Sequence, residues 1–159
     1  MVKGTIDFDS LKRPHWTDEQ SERAKLVLDF VQGIMNDHNF EGIIKRFGRH
    51  PYIQHNRNMN DGIDGVVNYI KKFVKSFPEF SYDVKQVMVD GDLVTIHSHA
   101  TIKNSHRGNQ SKGLNIKDTW RVNNGELVEH WDAIQPLDLF MRVYAAFVGG
   151  RILNSNGSF

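Results

Sequence analysis

Cysteine is absent from the 159 residues, which removes disulfide frameworks, thiolate nucleophiles and thiolate metal sites together. Charge of one sign is missing too: 20 basic and 19 acidic side chains leave a formal net charge of +1. No basic stripe or like-charged run stands out, so nucleic acid is not the expected partner. No apolar stretch approaches the roughly 20 residues that span a bilayer, and no membrane association is expected. The opening MVKGTIDFDSLKRPHW lacks the apolar centre of a secretory signal, so a cytoplasmic location is expected. There is no G-x-S-x-G elbow, no P-loop and no G-x-G-x-x-G turn.

What is present is enough for one core, since 39% of residues are hydrophobic in a chain of single-domain length. Residues 1–16 read as a polar arm. Thr17-Asp18-Glu19-Gln20 has the form of a capping box, and Val27, Phe30, Val31, Ile34 and Met35 follow at helical spacing, predicting a helix over 18–36. A short helix is expected over 40–47, an extended segment at Pro51–Asn56, and a third helix from Asp61 to Phe77. After Pro78 the period changes. Runs rich in Val, Ile and Thr at 80–89, 92–103, 112–122 and 126–135 predict four strands in two hairpins. Leu137–Val148 reads as an apolar helix, and 149–159 as a frayed tail. Helices first and an antiparallel meander after them make an α+β domain over 17–148.

The last hairpin carries the chemistry. A three-residue turn at Asn123-Asn124-Gly125 places Asp118 opposite His130 and Ile116 opposite Asp132. Alternation then gathers Ile116, Asp118, Trp120, Val122, Val128, His130, Asp132 and Ile134 on one face, and Lys117, Thr119, Arg121, Leu127, Glu129 and Trp131 on the other. A two-residue Asn-Gly turn would slip the register by one and split the set. The first face is the more apolar, so it should look toward the helices. Opposed Asp118 and His130 would have Cβ atoms roughly 5 Å apart. Buried carboxylates must be paired or hold raised pKa values, which is how an acid or base is prepared near neutral pH. The same pair could equally be a satisfied polar contact that fixes register.

Other polar candidates are His55, in Tyr52-Ile53-Gln54-His55-Asn56, and the H-x-H pair His97 and His99. No acidic residue follows His99 before Asp118, so no metal site is expected from that pair. His97 joins Val84 and Met88 only if the Gly91 turn has two residues; a three-residue turn groups Val84 and Met88 with Val94 and Ile96 and leaves both histidines outside.

The segments YIQHN, DGIDGVVNYIKKF, GDLVTIHSHA and KDTWRVNNGELVEHWDAIQ, in that order over residues 20–147, resemble the SnoaL-like polyketide cyclase family of the nuclear transport factor 2-like superfamily. The resemblance implies a cone, in which a curved antiparallel sheet wraps around the N-terminal helices and leaves a deep pocket. It also implies dimerisation through the outer sheet face, to which Trp131 and Leu127 would contribute, and ring closure without metal or organic cofactor. Asp132 matches the family's base, and Asp118 stands at the partner position, where histidine is common. Arg57 stands where proline often follows the HN of YIQHN. The combined expectation is acid/base chemistry on a small apolar carbonyl compound: Asp132 as base, Asp118 and His130 assisting, His55 as an acid, and Tyr52, Trp120, Val128, Ile134 and His97 lining the substrate. A non-catalytic ligand-binding module of the same fold is the alternative.

Overall fold

The computed structural model describes residues 4–148 and 152–159. A short helix α1 (Phe8–Leu11) precedes α2 (Asp18–Val31), whose first turn is closed by the expected capping box: Thr17 Oγ1 accepts from Gln20 N at 3.2 Å and Gln20 Oε1 accepts from Thr17 N at 2.9 Å. The predicted helix does run to Asn36, but its last five residues, Gln32–Asn36, wind as a π-helix. That wider turn carries Asn36 onto the sheet, where Oδ1 accepts from Tyr82 N at 2.7 Å. Helix α3 (Phe40–Phe47), strand β1 (Ile53–Gln54) and helix α4 (Gly62–Ser76) follow. Strands β2 (Ser81–Asp90), β3 (Leu93–Thr101), β4 (Leu114–Asn123) and β5 (Glu126–Pro136) precede α5 (Leu139–Val148).

The sheet is open and curved, with order β1-β5-β4-β3-β2. It is antiparallel except for β1, which runs parallel to β5. Its inner face packs on α2 and α4; Phe30, for example, sets its ring edge against Trp120 at 6.1 Å. No helix among the described residues is long and apolar enough to cross a membrane. Part of the expected tail is hydrogen-bonded to the body: Leu153 and Asn154 donate to the loop between β1 and α4, and Asn156 donates to Gln54 O at the end of β1.

Both main hairpins depart from the expected register in the same way. The β4–β5 turn holds two residues, Asn124 (φ 49°) and Gly125 (φ 74°), pairing Asn123 with Glu126 and Val122 with Leu127. Positive φ at both positions is the type I′ geometry that suits strand twist and that Asn-Gly tolerates. A bulge then takes up Val128, so Arg121 pairs with Glu129, Trp120 with His130 and Asp118 with Asp132. A two-residue turn alone would have split the polar set; the extra residue restores its parity. The assignments of Val128 and Leu127 are thereby exchanged. Leu127 is buried in the core, and Val128 leaves the inner face for the surface groove between β1 and the β4–β5 turn.

The β2–β3 hairpin turns on Gly91-Asp92, with Gly91 at φ 56°. A bulge at Lys85 brings Val84 opposite Ser98. Val87 is buried while Met88 is 47% exposed, contrary to the inward position expected of Met88. His97 stays on the outer face despite the two-residue turn.

Candidate functional site

A cavity of about 70 Å³ lies between the helices and the inner sheet face, lined among others by Tyr52, Trp120, Asp118, His130, Asp132 and Ile134. Strands β4 and β5 position its polar wall. Asp118 and Asp132 are paired across the ladder, and His130 stands two residues before Asp132 on the same face. His130 Nε2 reaches Asp118 Oδ1 at 3.0 Å, a diagonal contact instead of the directly opposed pair expected. The imidazole lies between two rings, Trp120 at 4.8 Å and Tyr52 at 6.4 Å. Tyr52 Oη in turn accepts from Trp120 Nε1 at 3.2 Å.

Hydrogen bonding fixes where the His130 protons sit. Gln54, fully buried, accepts from the backbone N–H of Asn56 through Oε1 at 2.8 Å. That oxygen is therefore an acceptor, and His130 Nδ1, 2.9 Å from it, must be the donor. In a neutral ring Nε2 would then hold only a lone pair, facing a carboxyl oxygen at 3.0 Å. One proton must lie on that axis, either on Nε2 or on Asp118. Asp118 Oδ2 is buried and has no hydrogen-bond partner. The Tyr82 hydroxyl, on the same cavity wall, is the neighbouring donor that interacts with Asp118.

Asp132 is held differently. Its Oδ2 accepts from Asn56 Nδ2 at 2.6 Å. Burial raises its pKa above the usual carboxylate range; the charge of His130 opposes this, the facing Asp118 adds to it, and the Asn56 hydrogen bond opposes it. Burial also pushes the hydroxyls of Tyr52 and Tyr82 well above their ordinary range, with Asp118 and Asp132 adding to both, so both remain protonated donors at neutral pH. Among the described residues, Asp118, His130 and Asp132 form a trio whose donor atoms all lie within 4.8 Å of one another. A cluster this tight requires positive charge inside it, and the proton between Asp118 and His130 supplies some.

Two expected members stand elsewhere. His55 lies on the outer face, its ring stacked on Trp131 at 4.8 Å and its Nε2 2.9 Å from Glu129 Oε1. The reason is alternation: Gln54 pairs with His130 and points inward, so its neighbour must point outward. His97 binds Asn115 Oδ1 at 2.6 Å and borders a separate outer-face cavity with His99. The structure adds Gln54, Asn56 and Tyr82. Period-2 alternation through YIQHN offered a signal for the first two, because an inward Tyr52 implies inward Gln54 and Asn56.

The SnoaL-like polyketide cyclase family model matches residues 25–142, and the chain belongs to that family. Similar solved structures include AclR from Streptomyces galilaeus, at 23% identity and TM-score 0.57 over 82% of this chain and 97% of that one. A Bacillus cereus ATCC 10987 protein provisionally named a polyketide cyclase gives 17% identity and TM-score 0.64, covering 88% and 89%. TsrD from Streptomyces laurentii gives 16% and 0.58, covering 73% and 90%. These likenesses show a nuclear transport factor 2-like fold. No curated protein matches significantly.

Proposed function

We propose that the cavity removes a proton from the carbon beside the carbonyl of a small apolar compound, without metal or organic cofactor. The carrying observation is the pairing of two unlike proton sites on one wall: Asp132, raised by burial, beside an Asp118–His130 pair that already holds a proton. Asp132 takes the C–H proton as the bonding electrons move onto the carbonyl oxygen, giving an enolate. The proton held by Asp118 and His130 stabilises that oxygen. The enolate carbon then attacks a second carbonyl or is reprotonated, and Asp132 returns its proton to the product. This first step is shared by aldol cyclisation, isomerisation and dehydration.

Family membership supports the reading, as does a wall that is otherwise aliphatic and aromatic, with the hydroxyls of Tyr52, Tyr69 and Tyr82 as its further polar groups. The space of about 70 Å³ is roughly half of an engineered 150 Å³ cavity that holds benzene. A ring-sized substrate would therefore displace side chains at the mouth, where Ile134 is 47% exposed. A homodimer through the outer sheet face would present Trp131 but not Leu127, which lies in the core.

The test is hydrogen–deuterium exchange at the α-carbon of small ketones and β-dicarbonyl compounds in D₂O, followed by NMR. Asp132→Asn should lower the exchange rate by roughly 10²–10⁴-fold with the fold intact. Protein-accelerated exchange that is indifferent to Asp132→Asn overturns the assignment. A bound probe that never exchanges marks a binding module instead.

A further inference from the structure

The family match ends at residue 142, and the segment 152–159 lies beyond it. This segment runs along the loop that joins β1 to α4. Loop carbonyls need donors, and here the C-terminal segment provides them. Asn154 Nδ2 donates to Asn56 O at 2.9 Å and to Met59 O at 2.8 Å. Leu153 N donates to Arg57 O at 2.7 Å. Asn156 Nδ2 donates to Gln54 O at 3.0 Å and to Asp61 Oδ1 at 2.6 Å, and that same oxygen accepts from Gln54 N at 2.8 Å. Asparagine suits this work, because one short side chain offers two donors and an acceptor. Asn154 uses its acceptor on Asn156 N at 3.2 Å, which orders the segment itself.

The carbonyls gripped by the two asparagines include those of Gln54 and Asn56. These are the residues whose side chains meet the cavity's ionisable groups: Asn56 donates to Asp132, and Gln54 accepts from His130. Asn56 also closes on Gln54 through its own N–H. The C-terminal segment touches neither Asp132 nor His130 through these bonds. It holds the backbone that aims their partners.

We propose that residues 153–156 form a positioning strap: Asn154 and Asn156, by fixing the backbone carbonyls of Asn56 and Gln54, hold the Asn56 amide on Asp132 and the Gln54 oxygen on His130. The relevance to turnover rests on Asp132 being the base, but the geometric claim does not. A strap that only stabilised the loop would lower the melting temperature on removal and leave the Asn56 side chain where it is.

The experiment follows the Asn56 side-chain amide by ¹⁵N-resolved NMR in the full chain, comparing wild type with the double variant Asn154→Asp and Asn156→Asp. These substitutions keep shape and remove the donors. In the wild type, the amide proton donated to Asp132 should resonate downfield and exchange slowly. In the double variant it should move upfield and lose that protection. A chain ending at Arg151 gives a second reading if the double variant folds poorly. An Asn56 amide unmoved in either variant, with the fold retained, overturns the strap even where Asp132 proves to be the base. An Asp132→Asn protein that still exchanges its probe overturns the base while leaving the strap standing.

Discussion

Asp118 and Asp132 face each other across the β4–β5 ladder, and the imidazole of His130 completes a trio whose polar atoms lie within 4.8 Å of one another. Two carboxylates placed so closely cannot both ionise freely without a cation or a proton between them. The arrangement stands because His130 is turned by Gln54 so that its Nε2 meets Asp118.

Ionised Asp132 costs the native state free energy, because burial strips the carboxylate of its hydration. Its folded pKa is raised relative to an unfolded value of about 3.9. The associated stability is therefore complete below the unfolded pKa and lost as pH rises through the folded one. Asp132→Asn removes the ionisation and keeps an oxygen that accepts from Asn56. Its melting temperature should match wild type near pH 4 and exceed it increasingly toward neutral pH. Each unit of displacement is about 1.4 kcal/mol, and about 1 kcal/mol moves the melting point of a chain this size by roughly 2–4 °C. A difference that does not change with pH would contradict the raised value.

The pair Asp118–His130 is electrically neutral whichever partner holds the shared proton. Asp118→Asn replaces it with a neutral amide beside a neutral imidazole, so the acid limb of Asp132-dependent exchange should hardly move. His130→Gln is different. It removes the group that lowers the Asp132 pKa and leaves Asp118 to raise it, so the acid limb should shift to higher pH. Equal shifts in the two variants would mean that the proton is not shared. The pH profiles of α-carbon exchange decide this.

The bulge at Val128 predicts unequal costs for neighbouring truncations. Leu127→Ala empties a fully buried core position and should cost about 2–5 kcal/mol. Val128→Ala acts at a half-buried position on the surface groove and should cost well under that, about 0.5 kcal/mol. Denaturant melts of the two variants check it. The opposite order would restore the register in which Val128 points inward.

That exchange shows what the sequence could and could not reveal. Helix ends marked by Thr17–Gln20, Gly48 and Pro78 were legible, because caps and breakers act within a few residues. The inward set Asp118, Trp120, His130 and Asp132 was legible as well, since alternation survives any even shift of register. Whether the set met as Asp118 with His130 or as Asp118 with Asp132 depended on a bulge. No local composition marks Val128 as the extra residue. Expecting both Tyr52 and His55 in the cavity overlooked the period of two in an extended segment, which puts them on opposite faces. Gln54 and Asn56 were hidden for another reason: their importance comes from β1 lying parallel beside β5, a contact between residues about 75 positions apart in the chain.

Gln54 offers the sharpest check on the cavity's proton arrangement. Its side chain is fully buried, and its Oε1 is the acceptor for both Asn56 N–H and His130 Nδ1–H. Gln54→Leu keeps the volume but strands both donors, and each buried unsatisfied group costs about 1–3 kcal/mol. The melting temperature should fall by several degrees. With its acceptor gone, the ring gives up its Nδ1 proton to solvent and keeps the single proton of the Nε2–Asp118 axis, held on Nε2 and donated to Asp118. Gln54→Glu keeps an acceptor at the same place and should retain the Nδ1–H form. The ¹⁵N shifts of His130 report the tautomer directly. Wild type and Gln54→Glu should show a protonated Nδ1, and Gln54→Leu a shift toward protonated Nε2 alone. An Nδ1–H signal unchanged in Gln54→Leu would mean that Gln54 does not orient the ring, and the proton assigned between His130 and Asp118 would have to be placed again.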